Sequence, residues 1–197
     1  MGHAVTLVHG DPRNFKITVP ADLARAEEVL RGTTAGASGA PLPRSGLGFD
    51  VHRLVPGRPL ILGGVSIPFA RGLAGHSDAD VLCHAIGDAL LGAVALGDLG
   101  QHFPPEDPRW KDADSLILLG HIVSRLGERN LRPVSVDSVI VCEEPKLAPY
   151  LTAMRAHLSA VLDLDIDRVS VKATTSEGLG ATGRGEGIAA QATVLVI

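Results

Sequence analysis

Between Asp78 and Leu96, eight apolar residues recur at the spacing of one helix face: Val81, Leu82, Ala85, Ile86, Ala89, Leu90, Ala93 and Val94. So wide a stripe predicts a helix over 78–96 that has to be covered on that side, and Ser77 or Asp78 is placed to cap it. Candidate strands to cover it are residues 46–53, 134–141, 168–173 and 188–197. Residues 60–62 and 65–67 flank Gly63-Gly64 and read as a hairpin. Two further helices are expected, from Asp112 or Asp114 to about Asn130 and from about Pro149 to Leu162. Residues 71–77, 97–111 and 174–187 read as loops. Strands and helices alternate without a G-x-G-x-x-G fingerprint, which points to an α+β fold: a single mixed sheet covered by helices on one face.

The first 45 residues read differently. Residues 4–8 are an apolar run, Gly10-Asp11-Pro12 a turn, and 15–19 an alternating candidate strand. A helical pattern opens at Pro20, with Leu23, Ala26, Val29 and Leu30 on one face. Residues 31–45, rich in Gly, Ala, Ser, Thr and Pro, have the composition of a flexible linker. The expected division is therefore 1–30, a linker over 31–45, and a main domain over 46–197.

Composition narrows function mainly by exclusion. Aromatics are 3% of the 197 residues, too few for a base-stacking platform. A net charge of -4 supplies no attraction to nucleic acid or an anionic membrane. Two cysteines, Cys83 and Cys142, lie in apolar surroundings without a CxxC, which suits a reducing compartment. There is no signal-peptide pattern or membrane-length apolar run, so a cytoplasmic protein is expected.

Chemistry concentrates first in Gly48-Phe49-Asp50-Val51-His52. On a strand, Asp50 and His52 project from the same face. An oxygen donor and a nitrogen donor side by side are two thirds of a catalytic zinc site. His84, inside the apolar helix, supplies the third donor and leaves a fourth position open. Asp80 and Asp88 stand four residues either side of His84, and either is placed to orient a histidine. Cys83, the competing ligand, points about 100° away on the helix and is assigned to the core. The remaining signals are polar loops, individually ordinary: Ala74-Gly75-His76-Ser77-Asp78 at a helix start, Lys172-Ala173-Thr174-Thr175-Ser176-Glu177 at a strand end, and Thr182-Gly183-Arg184-Gly185-Glu186-Gly187.

In order and spacing, these motifs resemble the 2-C-methyl-D-erythritol 2,4-cyclodiphosphate synthase family across residues 46–197. The carriers are Gly48-Phe49-Asp50-Val51-His52, His76-Ser77-Asp78-Ala79-Asp80, His84, Asp88-Ala89-Leu90-Leu91-Gly92-Ala93, Gly97-Asp98-Leu99-Gly100, Lys172-Ala173-Thr174-Thr175 and the Arg184 turn. The resemblance implies conversion of 4-diphosphocytidyl-2-C-methyl-D-erythritol 2-phosphate to the cyclic diphosphate with release of CMP. It implies a homotrimer, with sheets packed around the threefold axis and active sites at subunit interfaces. It makes Asp50, His52 and His84 zinc ligands, and Glu177 a ligand of a second cation, Mg²⁺ or Mn²⁺. His76 and Thr175 match transition-state stabilisers. His76, Ser77, Asp98, Leu99, Gly100, Phe103, Pro104, Pro105, Glu106 and Asp107 match the methylerythritol phosphate side. Cys142, Glu143, Glu144, Pro145, Lys146, Leu147, Ala148, Thr174, Thr175, Ser176 and Glu177 match the cytidine diphosphate side, and Asp50, Val51, His52, Ala181 and Arg184 also match substrate-binding positions. Arg184 and Glu186 match residues near the axis, where some members bind an isoprenoid diphosphate. A phosphohydrolase using the same metal and a water nucleophile is the competing enzyme reading.

Residues 10–27 resemble the carboxy-terminal end of the pathway's cytidylyltransferase, which some bacteria fuse to the synthase. They are read as a remnant of such a fusion. The nucleotide-binding part of the transferase is absent from these 197 residues, so no cytidylyl transfer is expected.

Overall fold

The computed structural model describes residue 10, residues 15–35 and residues 42–197, and divides the chain into two compact units, Met1–Leu42 and Pro43–Ile197. In the first unit, helix α1 spans Pro20–Ala35, so residues 31–35 of the expected linker are helical. The strand expected over 15–19 does not form. Its backbone donors are taken locally instead: the Asp22 carboxylate accepts from the Thr18 and Val19 amides and the Thr18 hydroxyl at 2.9–3.0 Å. Those bonds hold the Asp22 carboxyl below its usual range and start the helix. The 4–8 run and Asp11-Pro12 lie outside the described residues.

The second unit is built on a five-stranded mixed sheet. Its strands are β1 (Arg44–Pro56), β4 (Arg71–Leu73), β5 (Pro133–Val141), β6 (Val169–Thr174) and β7 (Gly187–Val196), in the order β4-β1-β7-β5-β6. Only β5 and β6 run parallel. The hairpin β2 (Leu60–Leu62) and β3 (Val65–Ile67) forms a separate two-stranded sheet, a departure from the expected single sheet. Its Gly63 and Gly64 take φ of 57° and 71°, the left-handed turn that only such a pair adopts freely. β4 falls inside the stretch read as a loop. Three residues, one of them glycine, are too few to show alternation, and β4 pairs only with residues 54–56 of β1.

Helices α2 (Val81–Ala93) and α5 (Leu151–Leu162) lie on one face of the sheet, and α4 (Ser115–Gly127) packs against both. The face is set by period-two alternation: Ile188, Ala190, Ala192, Val194 and Val196 of β7, and Val136 and Ile140 of β5, are buried beneath them. The cap of α2 is Asp80, not Ser77 or Asp78. Ala79 at φ 60° turns the chain so that the Asp80 carboxylate reaches the Leu82 and Cys83 amides. Two four-residue helices, α3 (Leu99–His102) and α6 (Gly180–Gly183), occupy stretches read as loops. Among the described residues, no helix is long and apolar enough to cross a membrane.

β1 and α2 touch backbone to backbone. A β-carbon added at Gly46 would lie 1.8 Å from the Ala89 carbonyl oxygen, and one at Gly48 2.0 Å from that of Ala85. On the same face, the next two side chains toward the start of α2 are Asp50 and His52. The opposite face of β1 is bare: Leu47, Phe49 and Val51 are 62%, 60% and 51% exposed.

Because neither backbone can retreat without moving a whole element, Gly48→Ala is expected to cost about 3 kcal/mol, the upper range for overpacking. Denaturant unfolding checks this, and a midpoint unchanged from the parent chain would contradict the contact.

Candidate metal centre

Asp50 Oδ2 lies 2.8 Å from His52 Nε2 and 2.9 Å from His84 Nδ1, and the two nitrogens are 3.1 Å apart. Among the described residues this is the group of acidic, histidine and cysteine side chains that could hold a metal ion. Its assembly follows from the fold: β1 alternation turns Asp50 and His52 to the helix side, and the glycine contact brings the first turn of α2 above them. Donors bound to one tetrahedral zinc at about 2.0–2.1 Å stand roughly 3.3 Å apart. The triangle seen here is tighter by a few tenths of an ångström and open on one side. Burial pushes the Asp50 carboxyl up, but hydrogen bonds from both histidines outweigh it and hold it well below its usual range. Burial lowers and Asp50 raises His52, with a net rise. The other His52 nitrogen faces the Ala74 backbone, which also favours the charged ring. Three donors this close hold either a shared proton or a cation, and their residue types suit a divalent metal.

A second ring surrounds the triangle. His84 Nε2 lies 3.1 Å from both Ser77 Oγ and Ser115 Oγ. The Asp78 carboxylate accepts from the Ser115 hydroxyl at 2.5 Å and the Ser115 amide at 3.0 Å. Arg58 donates to the Gly75 and Ser77 carbonyls at 3.0 and 2.6 Å, fixing the loop that carries His76. Neither Asp80 nor Asp88 orients a histidine. Asp80 is fully buried and accepts from the Gly64 amide at 2.7 Å and the Cys83 thiol at 3.3 Å, tying the β2–β3 turn to α2. Burial raises its carboxyl. Asp88 accepts from the Leu99 amide at 2.8 Å and so anchors α3. Cys83 is in the core, as its helix position implied, and its thiol is pushed up by burial.

A cavity of about 280 Å³ opens beside the triangle, lined by His52, His84, His76, Ser77, Leu99, Gly100, Phe103 and Pro105. Sequence reasoning missed two more lining residues, Trp110 and Leu118. His76 Nε2 and Trp110 Nε1 are buried without a hydrogen-bond partner, two polar atoms left for a ligand. The signal for Trp110 was available: it is the single tryptophan, set in a loop of Pro, Asp and Lys. Other predicted residues of this side stand off. Asp98 caps α3 through the Gln101 amide, and Asp107 is bound by Arg109. Pro104 and Glu106 do not line the cavity. The Val51 side chain points to the opposite face of β1 from Asp50.

A separate cavity of about 330 Å³ is lined by Cys142, Glu143, Pro145, Lys146, Leu147 and Ala148 on one side and Thr174 and Thr175 on the other, with Ala173 and Leu151 unanticipated. Burial pushes the Cys142 thiol up to about 11. Glu143 turns its charge into the protein: Oε1 accepts from the Ser176 amide and hydroxyl at 2.9 and 3.1 Å and from the Gly178 amide at 3.3 Å. That clamp shapes the loop in which the Thr175 hydroxyl donates to Glu177 at 2.7 Å. Thr175 and Glu177 do not line the cavity beside the Asp50–His52–His84 triangle. Glu144 and Arg184 line a third cavity of about 340 Å³, Arg184 pairs with Glu186 at 2.7 Å, and Ala181 is exposed in α6.

Comparison with known proteins places this geometry in context. Residues 43–197 match the YgbB family. A 2-C-methyl-D-erythritol 2,4-cyclodiphosphate synthase from Moorella thermoacetica is 60% identical over 154 residues, 78% of this chain and 94% of the relative. A bifunctional enzyme IspD/IspF from Granulibacter bethesdensis is 50% identical over 196 residues, 100% of this chain and 50% of the relative. The chain thus spans nearly all of the stand-alone relative and half of the bifunctional one. A solved structure of 2C-methyl-D-erythritol-2,4-cyclodiphosphate synthase in its CDP-bound form superposes with a TM-score of 0.73 at 40% identity, covering 78% of this chain and 100% of that one.

The Glu143 clamp is expected to govern the loop after β6. In Glu143→Ala, amide exchange at Ser176 and Gly178 should quicken about tenfold, the equivalent of roughly 1.5 kcal/mol for a charge-assisted bond. Hydrogen-exchange mass spectrometry over 174–180 reads this, and unchanged protection would remove Glu143 from that role.

Proposed function

The chain belongs to the YgbB family, and we propose that it catalyses the reaction after which its relatives are named. In this reading, 4-diphosphocytidyl-2-C-methyl-D-erythritol 2-phosphate is converted to 2-C-methyl-D-erythritol 2,4-cyclodiphosphate and CMP, a step of non-mevalonate isoprenoid synthesis. An oxygen of the 2-phosphate attacks the β-phosphorus, the bond from that phosphorus to the α,β-bridging oxygen breaks, and CMP leaves with the electron pair. A reaction of this kind needs positioning and charge neutralisation more than a protein nucleophile. The observation that carries the reading is the open three-ligand triangle beside a cavity with two unpartnered buried nitrogens.

Asp50, His52 and His84 would hold zinc, which supplies Lewis acidity at the β-phosphate. His76 Nε2 and Trp110 Nε1 would donate to oxygens of the methylerythritol phosphate end, while Phe103, Leu99 and Leu118 exclude water from it. The cavity along 142–148 would take the cytidine. Glu177, oriented by Thr175, would hold a second divalent cation, Mg²⁺ or Mn²⁺, against the diphosphate.

The substrate has to reach both cavities, whose linings share no residue. A homotrimer with interfacial sites meets that need, the second cavity coming from a neighbouring copy. The bare Leu47, Phe49 and Val51 face of β1 supports this assembly. Arg184 and Glu186 would then lie near the axis, available to an isoprenoid diphosphate. Two free, buried cysteines support a cytoplasmic setting. Similarity along the whole of this chain to half of the bifunctional relative supports reading residues 1–30 as transferase-like, joined by a linker to the synthase domain at 46–197.

Incubation with the nucleotide substrate, Zn²⁺ and Mg²⁺ should yield CMP and the cyclic diphosphate in equal amounts. An uncyclised product with inorganic phosphate would favour the hydrolase reading and contradict this one. His84→Ala is expected to lose bound zinc and to lower turnover by at least about a thousandfold, since it removes a ligand rather than a contact. A His84→Ala chain with full zinc content would overturn the ligand assignment.

A further inference from the structure

His84 can serve the triangle only if Nδ1 is bare, and an imidazole has two tautomers to choose between. Two serine hydroxyls compete for its far nitrogen, each 3.1 Å from Nε2. They are not equivalent. Ser115 is buried at the first position of α4, and its hydroxyl faces Asp78 Oδ1. Asp78 accepts three bonds, from the Ser115 hydroxyl, the Ser115 amide and the Asp80 amide. An ionised carboxylate only accepts, so the single Ser115 hydroxyl proton is committed to Asp78. Ser115 Oγ can then only accept from His84, which puts the imidazole proton on Nε2 and frees Nδ1.

Ser77 leads the other way. Its Oγ accepts from the Ala79 amide, and none of its partners is a carboxylate. Its proton is therefore available to donate to Nε2. That arrangement would move the ring proton to Nδ1, where it would point at Asp50 Oδ2 and block the ligand nitrogen.

We propose that Asp78 and Ser115 are positioning residues that select the metal-ready tautomer of His84. The pair thereby sets the affinity of the metal centre. This rests on the metal reading above and assigns the orienting role to a residue of α4 that touches neither metal nor substrate. Asp78 also ties together the two loops that wall the cavity. Its amide donates to the Ala113 carbonyl at 3.0 Å, and the Asp112 amide donates to the His76 carbonyl at 2.9 Å. Outer partners of metal-bound histidines commonly govern affinity about 10- to 100-fold.

The test is zinc affinity, measured by chelator competition on the full chain, with thermal melting in chelator to verify the fold. Ser115→Ala is expected to weaken zinc by at least about tenfold, and Ser115→Thr, which keeps the hydroxyl, to restore affinity to near the parent value. Ser77→Ala removes the competing donor and is expected to leave affinity unchanged or tighter. Zinc binding by Ser115→Ala within about twofold of the parent, a Ser115→Thr chain as weak as Ser115→Ala, or a Ser77→Ala chain equally weakened would each overturn the proposal. A parent chain that binds no divalent metal would overturn the metal reading as well, so the two failures are distinguishable.

Discussion

The contact between β1 and α2 governs everything functional in this chain. With no side chain at Gly46 or Gly48, the helix backbone rests directly on the strand, and neither element has room to shift toward the other. Metal ligands need that tolerance, because donors drawn from two elements converge only if both are rigidly spaced. Asp50 and His52 are the next side chains on the same strand face, and His84 directly precedes Ala85, the helix residue that meets Gly48. The same packing that buries Ala85, Ala89 and Leu90 thus closes the triangle. Stability of the core and geometry of the site are one property.

Around that contact, acidic residues do three different jobs at short range. Asp80 is buried and holds a hairpin turn and a helix cap, Asp88 anchors α3, and Asp78 reaches the site through Ser115. Only Asp50 is left to face the open position. The distribution keeps negative charge near the helix start, where backbone amides stabilise it. It also leaves the adjoining cavity lined by imidazoles, an indole and apolar side chains, a setting that favours an anionic ligand with a metal beside it.

Much of this was legible in the sequence because it rests on local periodicity. Alternation along β1 put Asp50 and His52 on one face, and the helical stripe put His84 opposite them while turning Cys83 inward. What stayed hidden depends on contacts between distant residues. Ser115 reaches His84 across 31 positions and Asp78 across 37, and no spacing rule connects them. The role given to Asp80 failed because its position on the stripe says nothing of the Gly64 amide that claims it. Nothing in the sequence around Glu143 announces that its oxygen holds Ser176 and Gly178, more than thirty positions away. The strand expected over 15–19 failed for the opposite reason: alternation is present, but Asp22 takes the amides locally.

The most direct test of the metal centre is a zinc-edge X-ray absorption spectrum of the chain loaded with one equivalent of zinc. The account predicts a first shell of oxygen and nitrogen only, at about 2.0–2.1 Å, with the outer-ring scattering of two imidazoles. A sulfur scatterer near about 2.3 Å would place the ion on Cys83 or Cys142 and contradict it, as would a shell with no imidazole signature.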